Sequence, residues 1–200
     1  MPRPPLARER VLDAYESLLI ADGERAATLE AVAAAAGVSK GGLLYHFHSK
    51  DALAAGLAQR LSELTDADLQ RMRDAPEGPV AYYVRTSVME DDALDRALVA
   101  NTRLVQAGSH AAAQAISDVR RRWAAEIRPH VRDDTALELV MLLGDGLYFN
   151  NSLSSPGGAG EEFVPTGAAL DELISLVLNA TARALEDPEP APRSSGLRPR

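Results

Sequence analysis

The stretch TLEAVAAAAGVSKGGLLYHF, Thr28–Phe47, decides how the rest of the chain is read. Leu29, Val32, Ala33 and Ala36 recur at the spacing that places side chains on one face of a helix. Gly37 follows, and a glycine just past a helical run adopts the left-handed conformation without steric cost. Val38 is the apolar plug of the turn, and Ser39 is a good N-cap for a second helix over Lys40–Phe47. Two helices joined across a turn of about three or four residues containing Gly make a helix-turn-helix, whose second helix normally enters the major groove of DNA.

Working outward, a helix is expected over Pro5–Ala21, with Val11, Leu12, Tyr15, Leu18 and Leu19 on one face and Asp22-Gly23 as its stop. On the other side Ser49 caps a fourth helix. Asp51 sits in its first turn, favourable to the helix dipole, and Leu53, Leu57, Leu61 and Leu64 carry it to about Arg73. The run DAPEGP, 74–79, is the natural domain boundary.

Beyond it the pattern predicts helices over Val80–Met89, from Asp91 or Asp92 through Val105, and from Gly108-Ser109 to Ile127. A very apolar helix capped by Asp133 or Asp134 reaches Leu153, and the last runs from Gly167 to Leu185. A loop is expected over residues 154–165, and a disordered tail over the Pro-rich residues 187–200. No strand pattern or internal repeat is present. The fold class is all-α, about nine helices in total: an N-terminal three-helix helix-turn-helix domain over 5–65 and a C-terminal helical domain over 75–186.

Composition narrows the function classes. The 200 residues contain no Cys, which removes disulfides and thiolate metal sites and suits a reducing cytoplasm. No apolar run is long enough to span a bilayer, and MPRPPLARER lacks the apolar core of a signal peptide. The net charge of −8 argues at first against a nucleic-acid partner. Residues 1–50, however, hold 6 basic and 6 acidic side chains, so all the excess acid lies outside the helix-turn-helix half. Net charge speaks to solubility and steering, not to what one face does.

The order Thr28, Val32-Ala33, Ala36-Gly37-Val38-Ser39, Gly41, Leu43, Tyr45-His46-Phe47 and Ser49-Lys50 resembles the N-terminal domain of the TetR family of bacterial transcriptional regulators, over residues 5 to 65. Beyond residue 70 the resemblance is architectural. It implies a homodimer on a palindromic operator, with a C-terminal domain for ligand binding and dimerisation.

Carried onto this sequence, it places Thr28, Ser39, Lys40, Gly41, Gly42, Leu44, Tyr45, His46 and Lys50 at DNA. Thr28 and Ser39 are helix caps whose hydroxyls also suit phosphate. Lys40 can meet a guanine edge or neutralise phosphate. Gly41 and Gly42 each cost roughly 1 kcal/mol relative to Ala inside a helix, which is explained if backbone approaches DNA closely; the alternative is a frayed, weak helix end. Leu44 stands where many relatives have Tyr, so it can touch only a thymine methyl or nothing. Tyr45 and His46 are expected on phosphates, and Lys50 as a phosphate clamp. Arg3, Arg8 and Arg10 could add salt-sensitive backbone contacts.

Two-fold dimers read half-sites about 34 Å apart, so something must hold two heads in register. The resemblance implies a four-helix interface from the last two helices. Leu139, Leu142, Leu143, Leu170, Leu173, Ile174, Val177, Leu178 and Thr181 are its expected residues, with Gly144 and Gly146 permitting close approach. A pocket for a hydrophobic inducer is expected among Tyr82, Tyr83, Leu104, Val105, Trp123, Met141, Asp145, Tyr148 and Phe149. Asp145, a carboxylate in the most apolar helix, needs a partner: an Arg, a Tyr or a ligand. Arg120-Arg121-Arg122 reads as a solvated face, and His110 and His130 lack metal-ligand spacing.

The expectation is a ligand-released repressor without cofactor or metal, bound to double-stranded DNA and not to a membrane. Control by a protein partner without a ligand is the alternative. An all-α enzyme is a distant third, because no nucleophile–base pair or phosphate loop is visible.

Overall fold

A computed structural model describes residues 5–88, 90–153 and 164–182, and every regular element among them is helical. The elements are α1 Pro5–Asp22, α2 Leu29–Ala35, α3 Lys40–His46, α4 Lys50–Asp74, α5 Pro79–Thr86, α6 Ala93–Gln106, α7 His110–Ile127, α8 Asp134–Leu153 and α9 Gly167–Thr181. A single 3-10 turn, Arg128–His130, follows α7 where Pro129 removes a backbone donor. The expected tail 187–200, most of the expected loop 154–165 and the last residues expected of α9 lie outside the described residues. Expected through Met89, α5 instead ends at Thr86: the Ser87 hydroxyl donates to the Tyr83 carbonyl at 2.7 Å and occupies the last turn.

Most helix starts are capped where the sequence places a short polar side chain. The side chains of Thr28, Ser39, Ser49, Asp92 and Ser109 each accept the backbone N–H three residues on. Asp92 and Asp95 complete a reciprocal capping box on α6. Asp133 serves α8 in the same way, accepting the Ala136 amide at 2.8 Å.

The 25-residue α4 passes through three apolar clusters. Leu53 and Leu57 pack with Val11, Leu12, Tyr15, Val32, Leu43 and Phe47 around the helix-turn-helix. Leu61 packs with Leu94, Ala97 and Val119. Leu69 and Met72 pack with Val80, Tyr83, Ile127, Val140, Met141 and Ile174 in the C-terminal half. The break at 74–79 does separate α4 from α5, but residues 5–65 are not self-contained: Ala100 and Leu104 of α6 and Ala112 of α7 complete the core of the head.

A charge cluster sits on the same junction. Arg60 of α4 reaches Glu9 and Asp13 of α1, both at 2.8 Å, while Arg96 of α6 donates to Ser17 at 3.2 Å. Between the two guanidinium groups lies Glu16, 7% exposed, at 3.8 Å from Arg60 and 3.7 Å from Arg96. Burial pushes its carboxyl up despite both arginines. The folded state therefore holds the Glu16 proton more tightly than the unfolded chain, so ionised Glu16 opposes folding above its folded-state value. That opposition is gone below its ordinary value of 4.5. Glu16→Gln is accordingly expected to be more stable than wild type at neutral pH, and the difference should shrink by pH 4.5 and vanish only below it. Urea unfolding at both pH values checks this; equal stability at neutral pH would contradict it.

Candidate nucleic-acid interface

The helix-turn-helix is built by local chemistry. Gly37 takes φ +65°, and the amides of Gly37 and Val38 donate to the carbonyls of Ala34 and Ala33 at 3.1 and 3.0 Å, closing α2. Val38 tucks half-buried into the turn against the head's core. Leu43 and Phe47 are buried, which fixes the face of α3 that points inward.

The opposite face carries most of the expected contact residues. Lys40, Gly41, Leu44 and Tyr45 are exposed, Tyr45 at 84%, and His46 is half-buried with its ring edge-on to Tyr45 at 5.1 Å. The two glycines differ. A Cβ on Gly42 would lie 3.3 Å from Ser39 Oγ, so the cap itself disfavours a side chain there. A Cβ on Gly41 would meet nothing closer than 4.0 Å, so no internal packing requires glycine at that position. Its bare backbone faces outward at the start of α3.

Thr28 Oγ1 and Ser39 Oγ act as caps, at 3.1 Å from the Ala31 amide and 3.0 Å from the Gly42 amide. Each hydroxyl hydrogen stays available to an acceptor. Lys50 differs from expectation. Its ammonium donates to the Glu24 carbonyl at 2.8 Å and pairs with the Glu24 carboxylate at 2.7 Å, so it closes the α1–α2 turn instead of standing free as a phosphate clamp. Arg8 lies 5.2 Å over the Phe47 ring, while Arg3 is outside the described residues. One residue was missed: Glu30 accepts the Lys40 ammonium at 2.6 Å.

The sequence pattern of the family described as bacterial regulatory proteins, tetR family, matches residues 11–57, and that of the tetracyclin repressor-like C-terminal domain matches residues 77–175. The chain belongs to the TetR family. This TetR-family transcriptional regulator shares its fold with solved structures. It is 18% identical to Salmonella enterica GusR at a TM-score of 0.65, over 90% of this chain and 98% of GusR. It is 20% identical to the multidrug binding protein EbrR, solved with malachite green, at a TM-score of 0.59 over 85% of this chain and 96% of EbrR. NalD, the secondary repressor of the MexAB-OprM multidrug efflux pump in Pseudomonas aeruginosa, is 18% identical at a TM-score of 0.54, over 90% and 97%. Identities this low establish likeness of fold. No curated protein sequence matches the chain.

The C-terminal half of this TetR-family chain gathers part of the expected pocket. Tyr82, Tyr83, Trp123 and Met141 share one core cluster, with the Tyr83 and Trp123 rings 5.6 Å apart. Gly144 admits the Tyr83 ring, since a Cβ there would come within 2.4 Å of it. Gly144 therefore serves packing within the subunit, not the approach of a partner. Asp68, on α4, is 4% exposed and accepts Tyr82 Oη and Trp123 Nε1, each at 2.9 Å, with Arg71 at 3.3 Å.

Asp145 finds an arginine: Arg120 Nε donates to it at 3.0 Å and also reaches Glu138. Arg122 meets Asp66 on α4, so two members of the expected solvated arginine face tie α7 to its neighbours. Three expected pocket residues lie elsewhere. Leu104 is in the head's core, Val105 is exposed, and Phe149 is 60% exposed. Tyr148 is half-buried, and its hydroxyl has no hydrogen-bond partner among the described residues. Two open concavities flank the head, one lined by Asp22–Arg25 with Arg103, Gln106 and Ala107, the other by Arg8 and residues of 46–59. Neither touches Tyr83 or Trp123.

The expected interface residues also divide. Leu139, Leu142 and Leu178 are exposed, and Leu143 and Leu173 are half-buried. Leu170, Ile174 and Val177 are buried in the subunit's own core, Thr181 is buried beside them, and little of their surface is left for a partner. The outward stripe of α8 is Leu139, Leu142, Gly146 and Phe149, at helical spacing, with nothing near the missing Cβ of Gly146. Leu176, 65% exposed, is the outward leucine of α9 that the sequence pattern did not single out.

Among the described residues no helix is long and apolar enough to cross a membrane. No group of three or more His, Cys, Asp or Glu side chains there could hold a metal ion.

Proposed function

We propose that the chain is a sequence-specific DNA-binding repressor that acts as a homodimer on a palindromic operator and is released by a small hydrophobic molecule. The observation that carries this reading is the outward face of α3. Bare backbone at Gly41, a cation at Lys40 and the exposed Leu44 and Tyr45 converge on one helix whose inward face is locked by Leu43 and Phe47. Such a helix can enter a major groove without internal rearrangement.

The exposed leucines of α8 and α9 support a subunit contact. Leu139 and Leu142, with Leu176, present an apolar surface on the side of these helices away from the core. A second copy covers it by two-fold symmetry.

The place of Asp68 supports a route for release. It joins α4, which begins under the reading helix, to Tyr82 of α5 and Trp123 of α7. A molecule that inserts among Tyr82, Tyr83 and Trp123 competes for these bonds and shifts α4, changing the separation of the two heads. It acts only if it binds the released arrangement more tightly than the DNA-bound one. EbrR, similar in fold, is a multidrug binding protein solved with malachite green; NalD is a repressor.

Selection of bound duplexes from random DNA tests the core of the proposal. A palindromic consensus with half-sites about one helical turn apart is expected. Enrichment of no sequence over bulk DNA, at any ionic strength, would overturn it.

A further inference from the structure

Within residues 26–49, which span α2, the turn and α3, Lys40 and Glu30 are the only side chains of Lys, Arg, Asp or Glu. They are paired with each other at 2.6 Å, and both are more than half exposed. The reading unit, taken with neutral histidines, therefore presents no net charge, and its one permanent cation is already occupied. Lys40 holds the Glu30 carboxyl below its ordinary range, so the partner is an anion at neutral pH.

Holding the two helices together does not account for the pair. Val32, Ala33, Leu43 and the turn residue Val38 already pack α2 on α3, and an exposed ion pair adds little to stability. Its position is more telling. Lys40 opens α3 beside the bare backbone of Gly41, and Glu30 lies in the first turn of α2, two residues past the Thr28 cap.

We infer that Glu30 is a specificity-determining residue: it holds Lys40 off the phosphate backbone and repels phosphates itself, suppressing attachment to DNA of the wrong sequence. The inference rests on the DNA-binding reading above. Non-specific binding is almost wholly phosphate electrostatics, and a carboxylate beside the sole lysine removes that contribution. Base edges at the matched site supply hydrogen bonds that phosphates elsewhere do not, so only there is opening the pair compensated. Selectivity is a difference of affinities, and a repulsive group aimed at the competitor widens it.

The test measures fluorescence anisotropy of two labelled duplexes of equal length, the selected site and a scrambled one, over a series of salt concentrations. The intact chain is compared with Glu30→Gln, Glu30→Asp, Lys40→Gln and the double Gln variant. Glu30→Gln is expected to tighten the scrambled duplex about two- to fivefold per head and to steepen its log–log salt slope by about 0.9 per head. The selected duplex should change less, so the ratio of the two affinities falls. Glu30→Asp should restore the ratio, and Glu30→Gln should tighten the scrambled duplex by less once Lys40 is Gln, because only the direct repulsion of phosphate is then removed. Unchanged scrambled-duplex affinity and slope in Glu30→Gln, or parallel weakening on both duplexes as a structural role would give, overturns the inference while leaving DNA binding intact. A wild type that does not distinguish the two duplexes removes the DNA-binding reading itself.

Discussion

Leu139→Glu combined with Leu142→Glu is expected to yield a folded monomer that binds its operator at least ~100-fold more weakly than wild type. Both side chains are about half exposed, so the carboxylates meet water in the isolated subunit and the core on the other face of α8 is untouched. In a dimer the same carboxylates would face their symmetry mates in a desolvated contact, where each ionised group costs several kcal/mol. Operator affinity follows because the second head binds at the effective concentration set by its tether. Losing that tether forfeits ~10²- to 10⁴-fold in avidity without altering either reading helix. Sedimentation gives the mass, and anisotropy on palindromic and half-site duplexes gives the affinities. The half-site duplex should bind wild type and variant alike per head. A variant that sediments as a dimer would place the subunit contact elsewhere.

The second large effect is expected at Asp68. Asp68→Ala leaves Tyr82 Oη and Trp123 Nε1 without their acceptor in a part-buried site and deletes the charge that Arg71 approaches. Removing one member of a buried charged network costs about 3–5 kcal/mol. Tyr82 and Trp123 are only half-buried and can recover some hydration, which places the expected loss near ~3 kcal/mol. For a chain of this length that lowers Tm by about 6–12 °C. Asp68→Asn keeps one acceptor oxygen and should lose less. Denaturant unfolding orders the three proteins; an Asp68→Ala loss within about 0.5 kcal/mol, the range of ordinary surface changes, would show that the node does not tie α4 to α5 and α7. Because Asp68 sits on the helix that begins at the reading head, the same variant should also weaken the response of operator binding to any ligand that stabilises the protein.

The caps were legible in the sequence because a cap is local. Ser39 needs only the amide of Gly42, three residues away, and the same holds for Thr28, Ser49 and Ser109. Gly37 was legible for the same reason: the left-handed position lies next to the helix it ends. The phase of a helix is another matter. Apolar residues surround α8, so periodicity cannot tell which side meets the subunit's own core. Leu139 and Leu142 turn outward while Val140 and Met141 turn inward. In α9 the regular series Leu170, Ile174, Val177 and Thr181 is the inward stripe, and Leu176, off that series, is the most exposed leucine, with Leu178 less so.

Long-range partners were invisible as well. Lys50 resembles a phosphate clamp in sequence, yet Glu24 lies 26 residues earlier and takes its charge. Leu104 has the apolar character of a pocket residue, but α6 crosses α1, and that crossing places it in the head's core. Glu30 and Lys40 are ten residues apart, and only the angle between α2 and α3 brings them into contact.

The contribution of Ala100, Leu104 and Ala112 to the apolar centre beneath the helix-turn-helix bears on protein engineering. A chimera that exchanged residues 5–65 with another regulator would set foreign side chains of α1 against a native α6 surface that evolved to fit different ones. The practical unit of exchange is therefore discontinuous: the N-terminal segment together with the matching surface of α6 and the first turn of α7. Grafts cut at the DAPEGP break alone would inherit a mismatched seam, however faithfully the recognition helix itself was copied.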